Sequence, residues 1–514
     1  MAQLPYFVLG PNTLLSIIGL MRGRDTTPPT PARNWRTVTV DVVIPAFNEQ
    51  DNIVRCLASL VGQTMRPRKI VVVDDGSSDH TASRAVRFGS VHGLNVLVIK
   101  RAMSIGKTPS IKDQARALDS DVLFVLDADT ILESDNYIER TVQELYQGVG
   151  IASACGSILP LRESDRRAAD AAAPVRAFVD ASPSYKPRPA KNWLRRSASA
   201  ITNTYREVLY LFLQRFVFHG QMAMFGTVAN PAGCAVAYRR AYLEQIFDAF
   251  ETALGDDLTT SEDIFIGLAM LNEGYRNIQV LDVRARTVEP EVQRLPKQLS
   301  LWSSAFFQSA FYFDALLRGP FKAFRRRHLH RGPRNTSGGT LQILNVSPRS
   351  VAYAAGGPTP TSHAFLTLPD LPNAAAPAPV LVGGSMMPAR AGGIERRYIQ
   401  EPYRQAFGSQ HTRNYGRPAG WMLLASAIEK IALPTILLIM VLLAAWEPLI
   451  IMIGAETLLT ATALAIVMKR RWLEYFVKGI AVTPLRYGLL LSELATIARF
   501  ARDLWLTGNR RWRK

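Results

Sequence analysis

The chain has 514 residues, 48% of them hydrophobic and 20% charged, with a formal net charge of +18. That size accommodates a catalytic domain with additions, and the basic balance calls for an anionic partner such as phosphorylated substrates, nucleic acid or a lipid surface. The three cysteines (Cys56, Cys155, Cys234) lie far apart without a CxxC pair, which excludes a disulfide framework or a cysteine zinc site, and the histidines show no metal-ligand spacing.

Residues 4–21 are apolar apart from a few positions that include Pro11 and Asn12. The run lacks the basic start and small-residue cleavage site of a signal peptide, and reads as a span or an interfacial segment within residues 1–35. From about Arg36 short apolar runs recur at 38–44, 70–73, 96–99 and 122–126. Continuous runs of this length are the mark of parallel strands buried on both faces. Between the first two, Ile53, Leu57, Leu60 and Val61 fall at helical spacing. Alternating strand and helix predicts an α/β doubly wound sheet with its ligands at the carboxyl ends of the strands.

Residues 162–196 are rich in Ala, Pro and Arg without periodicity and read as an inserted loop; helical pattern resumes over 201–218, and a second α/β piece runs through 282. A linker is expected at 322–418, with Arg325-Arg326-Arg327, His328, His330 and Ala-Pro tracts. Its two Asn-x-Ser sequons read as chance matches. The stretches 427–446 and 448–468 form a transmembrane hairpin. Arg413 and Arg417 before it and Lys469-Arg470-Arg471 after it place both ends, and with them the catalytic body, on the cytoplasmic side of an inner or plasma membrane. Because 479–500 carries Arg486, Glu493 and Arg499, and a basic tail follows at 509–514, that segment is expected to lie in the interface. The basic residues flank apolar spans, which favours membrane lipids over nucleic acid as the anionic partner.

Four constellations carry chemistry. Pro45-Ala46-Phe47-Asn48-Glu49 and Asp74-Asp75-Gly76-Ser77 each follow a strand. A carboxylate there accepts from a nucleobase or ribose, and Phe47 offers a ring to pack on a flat base. Asp127-Ala128-Asp129 ends the run at 122–126, and residues two apart in extended chain point the same way. Two converging carboxylates repel unless a divalent cation relieves them; oxygen ligands suit Mg²⁺ or Mn²⁺ bridged to substrate phosphates. Lys107, after Gly106, adds positive charge beside such a diphosphate. Finally, Thr260-Ser261-Glu262-Asp263 enters a helical run at 264–271. Ser261 suits a helix cap, and Asp263 suits a general base, with Asp256 and Asp257 as rivals.

Taken in order, these segments resemble the family-2 glycosyltransferases, which include the cellulose, hyaluronan and poly-N-acetylglucosamine synthases. The resemblance covers about Val38 to Trp302 and extends to the membrane hairpin. It implies a GT-A fold over residues 36–321, followed by the linker and by a membrane region at 419–514. The reaction it implies is inverting transfer from a nucleotide sugar, with UDP as the nucleotide, to a glycan acceptor in cell-surface or exopolysaccharide synthesis; the alternative is transfer of a single sugar to a lipid-linked acceptor. In that likeness Pro45, Phe47, Glu49, Asp75 (the uracil contact), Lys107 and Asp127 bind donor, Asp127 and Asp129 hold the metal, and Asp263 is the base. Gly233 and Cys234, in Asn230-Pro231-Ala232-Gly233-Cys234, resemble the acceptor segment together with Glu262. Gln298 and Trp302 match the family's Gln-x-x-Arg-Trp motif on a helix near the membrane, at about 297–318. Leu301 stands where that motif has arginine, which removes a fixed cation and a planar donor fork. A pore for a growing chain needs more helices than this sequence offers, so a partner subunit or an oligomer would supply it. A different class remains: a weakly catalytic nucleotide-sugar-binding subunit of an export machine.

Overall fold

The computed structural model describes residues 10–21, 34–148, 150–182, 185, 193–254, 261–319, 380–382, 385–387 and 419–506. Eight strands form one sheet. They are β1 (Val40–Ala46), β2 (Lys69–Asp74), β3 (Val96–Lys100), β4 (Val122–Leu126), β5 (Thr130–Leu132), β6 (Ile151–Pro160), β7 (Ala235–Arg239) and β8 (Arg276–Thr287). Their order across the sheet is β3-β2-β1-β4-β7-β6-β8-β5.

The first half is the parallel sheet the apolar runs predict. β1 pairs in parallel with β2 and β4, and β2 with β3, so these four strands end on the same edge. Val42, Val43, Ile44, Val71, Val72, Leu123 and Phe124 have no solvent exposure, which is why these strands contain no alternating polar positions. Helix α1 (Pro11–Met21) precedes the sheet, and α2 (Ile53–Val61), α3 (Thr81–His92), α4 (Lys107–Ala117) and α5 (Tyr137–Leu145) connect its strands. Beyond β4 the sheet turns mixed: β7 runs antiparallel to both β4 and β6, β6 pairs in parallel with β8, and β5 closes the edge antiparallel to β8.

The segment expected to be a loop at 162–196 is helical where it is described, with α6 (Glu163–Asp170) and α7 (Ala173–Ala181). Its polar, alanine-rich sequence hides the reason, which is tertiary. The Asp165 carboxylate caps α6 by accepting from the Arg162 amide at 3.0 Å, Asp170 pairs with the buried Arg55 of α2, and Val175 and Phe178 enter the core. Helix α8 (Trp193–Phe212) continues through a wider π turn (Leu213–Phe218) into α9 (His219–Phe225). Then come α10 (Arg240–Leu254), α11 (Glu262–Asn272), α12 (Leu295–Tyr312) and α13 (Asp314–Arg318).

Helix α1 has 11 residues, about 16 Å at ~1.5 Å per residue, against a hydrocarbon core of ~30 Å. It is docked on the domain. Gly19 lies so close to Gly220 of α9 that a Cβ there would come within 2.1 Å of the Gly220 carbonyl oxygen. Within 322–418 the described residues are an antiparallel pair, β9 (Val380–Val382) and β10 (Ser385–Met387). The sequons, His328, His330, Arg325-Arg326-Arg327 and the tail 509–514 lie outside the described residues.

The C-terminal region forms α14 (Ala419–Leu442), α15 (Trp446–Val467), α16 (Trp472–Ala481) and α17 (Thr483–Ala501). Three stretches among the described residues are long and apolar enough to cross a membrane, at Ala419–Leu442, Trp446–Val467 and Lys469–Ala501. The third is the segment whose charges suggested an interfacial helix. Two of those charges turn inward: Arg486 pairs with Glu456 of α15, and Glu493 accepts a hydrogen bond of 2.8 Å from Ser303 of α12. Trp302, Phe306, Phe307, Ala310 and Phe311 form an apolar stripe along α12. Phe306, Phe307 and Ala310 are buried, with Phe307 4.9 Å from the Phe500 ring of α17, so most of the stripe packs on protein.

Removing one partner of the buried Arg486–Glu456 pair leaves an uncompensated charge, at a cost of about 3–5 kcal/mol. Glu456→Ala is therefore expected to lower the melting temperature of the detergent-solubilised chain clearly, while Glu456→Met combined with Arg486→Met recovers most of the loss. A double variant no more stable than the single one would show that packing, not charge, holds these helices.

Candidate functional site

The parallel strands β1, β2 and β4 end side by side, and their loops are tied together. The Asn48 amide donates to Ser77 Oγ (2.9 Å), the Glu49 amide to Thr81 Oγ1 (2.8 Å) and the Gln50 amide to Asp79 (3.0 Å). Phe47 projects from this edge half-exposed, at 51%, as a platform for a flat ring should. Pro45 lies within β1, and Glu49 is held by Asn52 Nδ2 at 2.8 Å.

Asp75 is engaged within the protein. Its carboxylate accepts from Ser104 Oγ (2.6 Å), the Gly106 amide (2.8 Å), Arg101 Nη1 (3.0 Å) and the Ile105 amide (3.1 Å). Burial pushes its pKa up, but these donors outweigh it and hold it below the ordinary carboxylate value. Asp75 thus fixes the loop that presents Lys107. Gly76, at φ 81°, lets that loop close in: a Cβ there would lie 2.9 Å from the Met103 carbonyl carbon.

Lys107 is the hub. Its Nζ is 2.6 Å from Asp127 Oδ1 and 2.6 Å from Glu262 Oε1, and it donates to the Gly233 carbonyl at 3.1 Å. Burial lowers the ammonium pKa, yet the two carboxylates carry it well above its usual value, so it stays charged. Asp127 leaves β4 with its amide bonded to the Cys234 carbonyl at 2.9 Å, which ties the carboxylate pair to the Gly233-Cys234 segment. Asp129 is different. Burial, and then the charges of Asp127 and Glu49, push its carboxyl to about 8, and its contacts are two hydroxyls, Thr130 and Thr287, each at 3.4 Å.

A cavity of ≈360 Å³ gathers Lys107, Asp127, Asp129, Gly233, Cys234, Glu262, Asp263, Gln298, Leu301 and Trp302. Pro45, Phe47, Glu49 and Asp75 stand outside its lining, on the adjoining strand ends. Glu262 and Asp263 open α11. Ser261, expected to cap this helix, makes no side-chain capping bond, and Asp263 Oδ1 instead accepts from the Ile264 amide at 2.9 Å. The other carboxylate oxygen faces Gly233 so closely that a Cβ at 233 would be 3.1 Å from Oδ2 and 2.8 Å from the Asp263 Cβ. Burial raises the pKa of Glu262, while Lys107 draws it back. Asp256, Asp257 and Thr260 lie outside the described residues.

The cation absent at Leu301 is present from another element. Arg206 of α8, fully buried, donates to Gln298 Oε1, lies 4.7 Å over the Trp302 ring and pairs with Glu289 at 3.2 Å. Glu289 and Tyr210 line the cavity beside Gln298. Arg206, Tyr210, Glu289 and Arg101 all escape sequence reading because each acts through a contact between distant segments. Only the near match of Gln298 and Trp302 to a known motif hinted that a guanidinium was missing there.

Among the described residues no three His, Cys, Asp or Glu side chains form a complete metal cage. The donor set fits a cation shared with a substrate. Asp127 and Asp129 offer hard oxygens, and the charge of Lys107 only partly offsets the burial and the neighbouring carboxylates that raise Asp129.

This sheet and its strand-end carboxylate cavity have the GT-A architecture of sugar transferases. Residues 41–247 match the model of Glycosyl transferase family 2, so this stretch is a family 2 glycosyltransferase domain. The chain is 26% identical over 259 residues to an N-acetylglucosaminyltransferase of Azorhizobium caulinodans, covering 50% of this chain and 56% of that one. It is 26% identical over 284 residues to an N-acetylglucosaminyltransferase of Bradyrhizobium diazoefficiens, covering 54% and 51%. The matches thus span about half the length of these relatives. Among solved structures, the mannosyltransferase PcManGT of Pyrobaculum calidifontis, in complex with GDP-Man and Mn²⁺, aligns over 96% of this chain and 94% of its own, with 14% identity and a TM-score of 0.43.

The position of Asp129 has a measurable consequence. Below about 8 its carboxyl holds a proton in the metal-free protein, and a cation must displace it. Mn²⁺ affinity, followed by calorimetry, is expected to rise by about tenfold per pH unit up to that point and then level off. In Asp129→Asn the slope should vanish and the affinity fall.

Proposed function

We propose that the chain is a membrane-attached glycosyltransferase that moves a sugar, with inversion, from a nucleotide-diphosphate donor to an acceptor hydroxyl in cell-surface glycan assembly. The observation that carries this is the cavity itself: Lys107 bridging Asp127 and Glu262, with Asp263 across from Gly233. The relatives' name supports N-acetylglucosamine as the sugar and, with it, UDP as the nucleotide.

The strand-end loops bind the nucleoside, with Phe47 under the base and Glu49 and Asp75 beside it. Lys107 lies where the diphosphate arrives. Its charge is shared between Asp127 and Glu262, and the incoming phosphates compete for it. A bound Mg²⁺ or Mn²⁺, held by Asp127 and Asp129, would neutralise the diphosphate and stabilise it as a leaving group. Asp263 takes the proton from the acceptor hydroxyl, which attacks the anomeric carbon from the face opposite the nucleotide. Gly233 keeps the backbone low enough for the acceptor to approach Asp263. Gln298 and Trp302, steadied by Arg206, form the acceptor side of the cavity. Three apolar stretches long enough to cross a membrane support attachment of the domain to a lipid surface, and the basic flanks support a cytoplasmic catalytic face.

Asp263→Asn should lower transfer by about 10²–10⁴-fold, the usual contribution of a general base, and leave UDP affinity unchanged. Wild-type turnover in that variant would remove Asp263 as the base. Chelation should abolish transfer by the wild type, with recovery on adding Mn²⁺ or Mg²⁺. If the wild type binds UDP-N-acetylglucosamine but transfers nothing to any acceptor in membranes, a binding subunit of an export machine is the better description.

A further inference from the structure

A second cavity of ≈360 Å³ adjoins the catalytic one, and Val288 lines both. Strands β6 and β8 place it there. They run side by side to Pro160 and Thr287, the Leu161 amide still bonds the Thr287 carbonyl at 2.7 Å, and the chain then enters α6. One wall is the start of α6 and the other is α8. Arg162, Arg166, Arg167 and Arg196 line it with Asn203 and Glu163, and Glu163 stands 3.7 Å from Arg166. Arg167 and Arg196 are exposed.

The groove points to the lipid side. Arg162 pairs with Glu207 of α8, and the same carboxylate takes Lys478 Nζ at 2.8 Å and Tyr475 OH at 2.9 Å. Lys478 and Tyr475 belong to α16, which directly follows the membrane-length α15 and the basic turn Lys469–Arg471. One continuous wall therefore runs from the catalytic cavity, past four arginines, to helices able to enter a bilayer.

We propose that this groove is an acceptor subsite that holds the phosphate of a lipid-linked acceptor, so that the group to be glycosylated reaches across Val288 to Asp263. This rests on the transferase reading above and names the class of its acceptor. Guanidinium forks match phosphate oxygens two at a time, and with Arg162 on Glu207 and Arg166 on Glu163 the exposed Arg167 and Arg196 leave an excess of positive charge for an anion to neutralise. A phosphate is the anion an amphiphile carries at the boundary between its apolar tail and its reactive head. An uncharged glycan gives the arginines nothing to neutralise.

The test uses the full chain in detergent micelles with saturating UDP, which fills the donor diphosphate site, and titrates farnesyl phosphate, farnesol and inorganic phosphate. Farnesyl phosphate is expected to bind at least tenfold more tightly than either of the others. Arg167→Glu combined with Arg196→Glu, both on exposed side chains, should weaken it at least tenfold more while the melting temperature and UDP affinity hold. Equal farnesyl phosphate affinity in wild type and variant overturns the subsite. Farnesol binding as tightly as farnesyl phosphate also overturns it. Inorganic phosphate binding as tightly overturns the lipid source. UDP binding is read on the same samples, so a failed donor site would count against the transferase reading alone and leave the outcome for the groove standing.

Discussion

One ammonium group organises the cavity. Lys107 stands between Asp127 and Glu262 at 2.6 Å from each, and its reach joins β4 to α11 across the Gly233 carbonyl. Without that charge, Asp127, Asp129, Glu262 and Asp263 would crowd a half-buried space with no counter-ion, an arrangement low-dielectric surroundings do not tolerate. The lysine is itself set by Asp75, whose four hydrogen bonds hold the loop before it. The strand-end loop of Asp75 is thus tied to Asp127 and the start of α11 through a chain of charge-assisted bonds. On the proposed reading, a diphosphate entering the cavity would exchange partners with Lys107, which would couple donor arrival to the freeing of Glu262.

A second chain of contacts joins the cavity to the apolar helices. Helix α12 carries Gln298 and Trp302 on its cavity side. Elsewhere along it, Ser300 bonds Thr496 at 2.8 Å, and Ser303 donates to Glu493 and accepts from Lys430, each at 2.8 Å. The position of Gln298 and Trp302 is therefore set partly by helices outside the sheet. Arg206 completes the arrangement from the opposite direction. By pairing with Glu289 and lying over Trp302, it restores in space the cation that Leu301 removes in sequence.

Some elements were legible because their cause is local. β1, β2 and β4 announce themselves by apolar runs, as strands covered on both faces do, whereas β3 carries a like run at the sheet edge with Leu97 exposed. The strand-end placement of Asp75, Asp127 and Asp129 follows from their positions just past those runs. The segment at 162–196 was not legible: its helices are held by Asp170 on Arg55 and by Phe178 in the core, contacts with residues a hundred or so positions away. The same holds for α17. Its charges argue for an interface when counted along the chain, and for burial once Glu456 and Ser303 are seen to receive them.

The sequence by itself determined which chemistry is present: a parallel sheet, two carboxylates spaced to converge, a lysine before them, an acidic helix start after them, and apolar stretches long enough for a bilayer. These depend on periodicity and on the order of neighbouring residues, both written along the chain. Only the tertiary structure decided how those groups are wired. It gave Lys107 to Asp127 and Glu262, turned Asp75 toward its own loop, brought Arg206 to the place of a missing arginine, and set an arginine groove beside the cavity. Each of these is a contact between segments far apart in sequence, and a charge separated from its partner by a hundred residues leaves no local pattern to read.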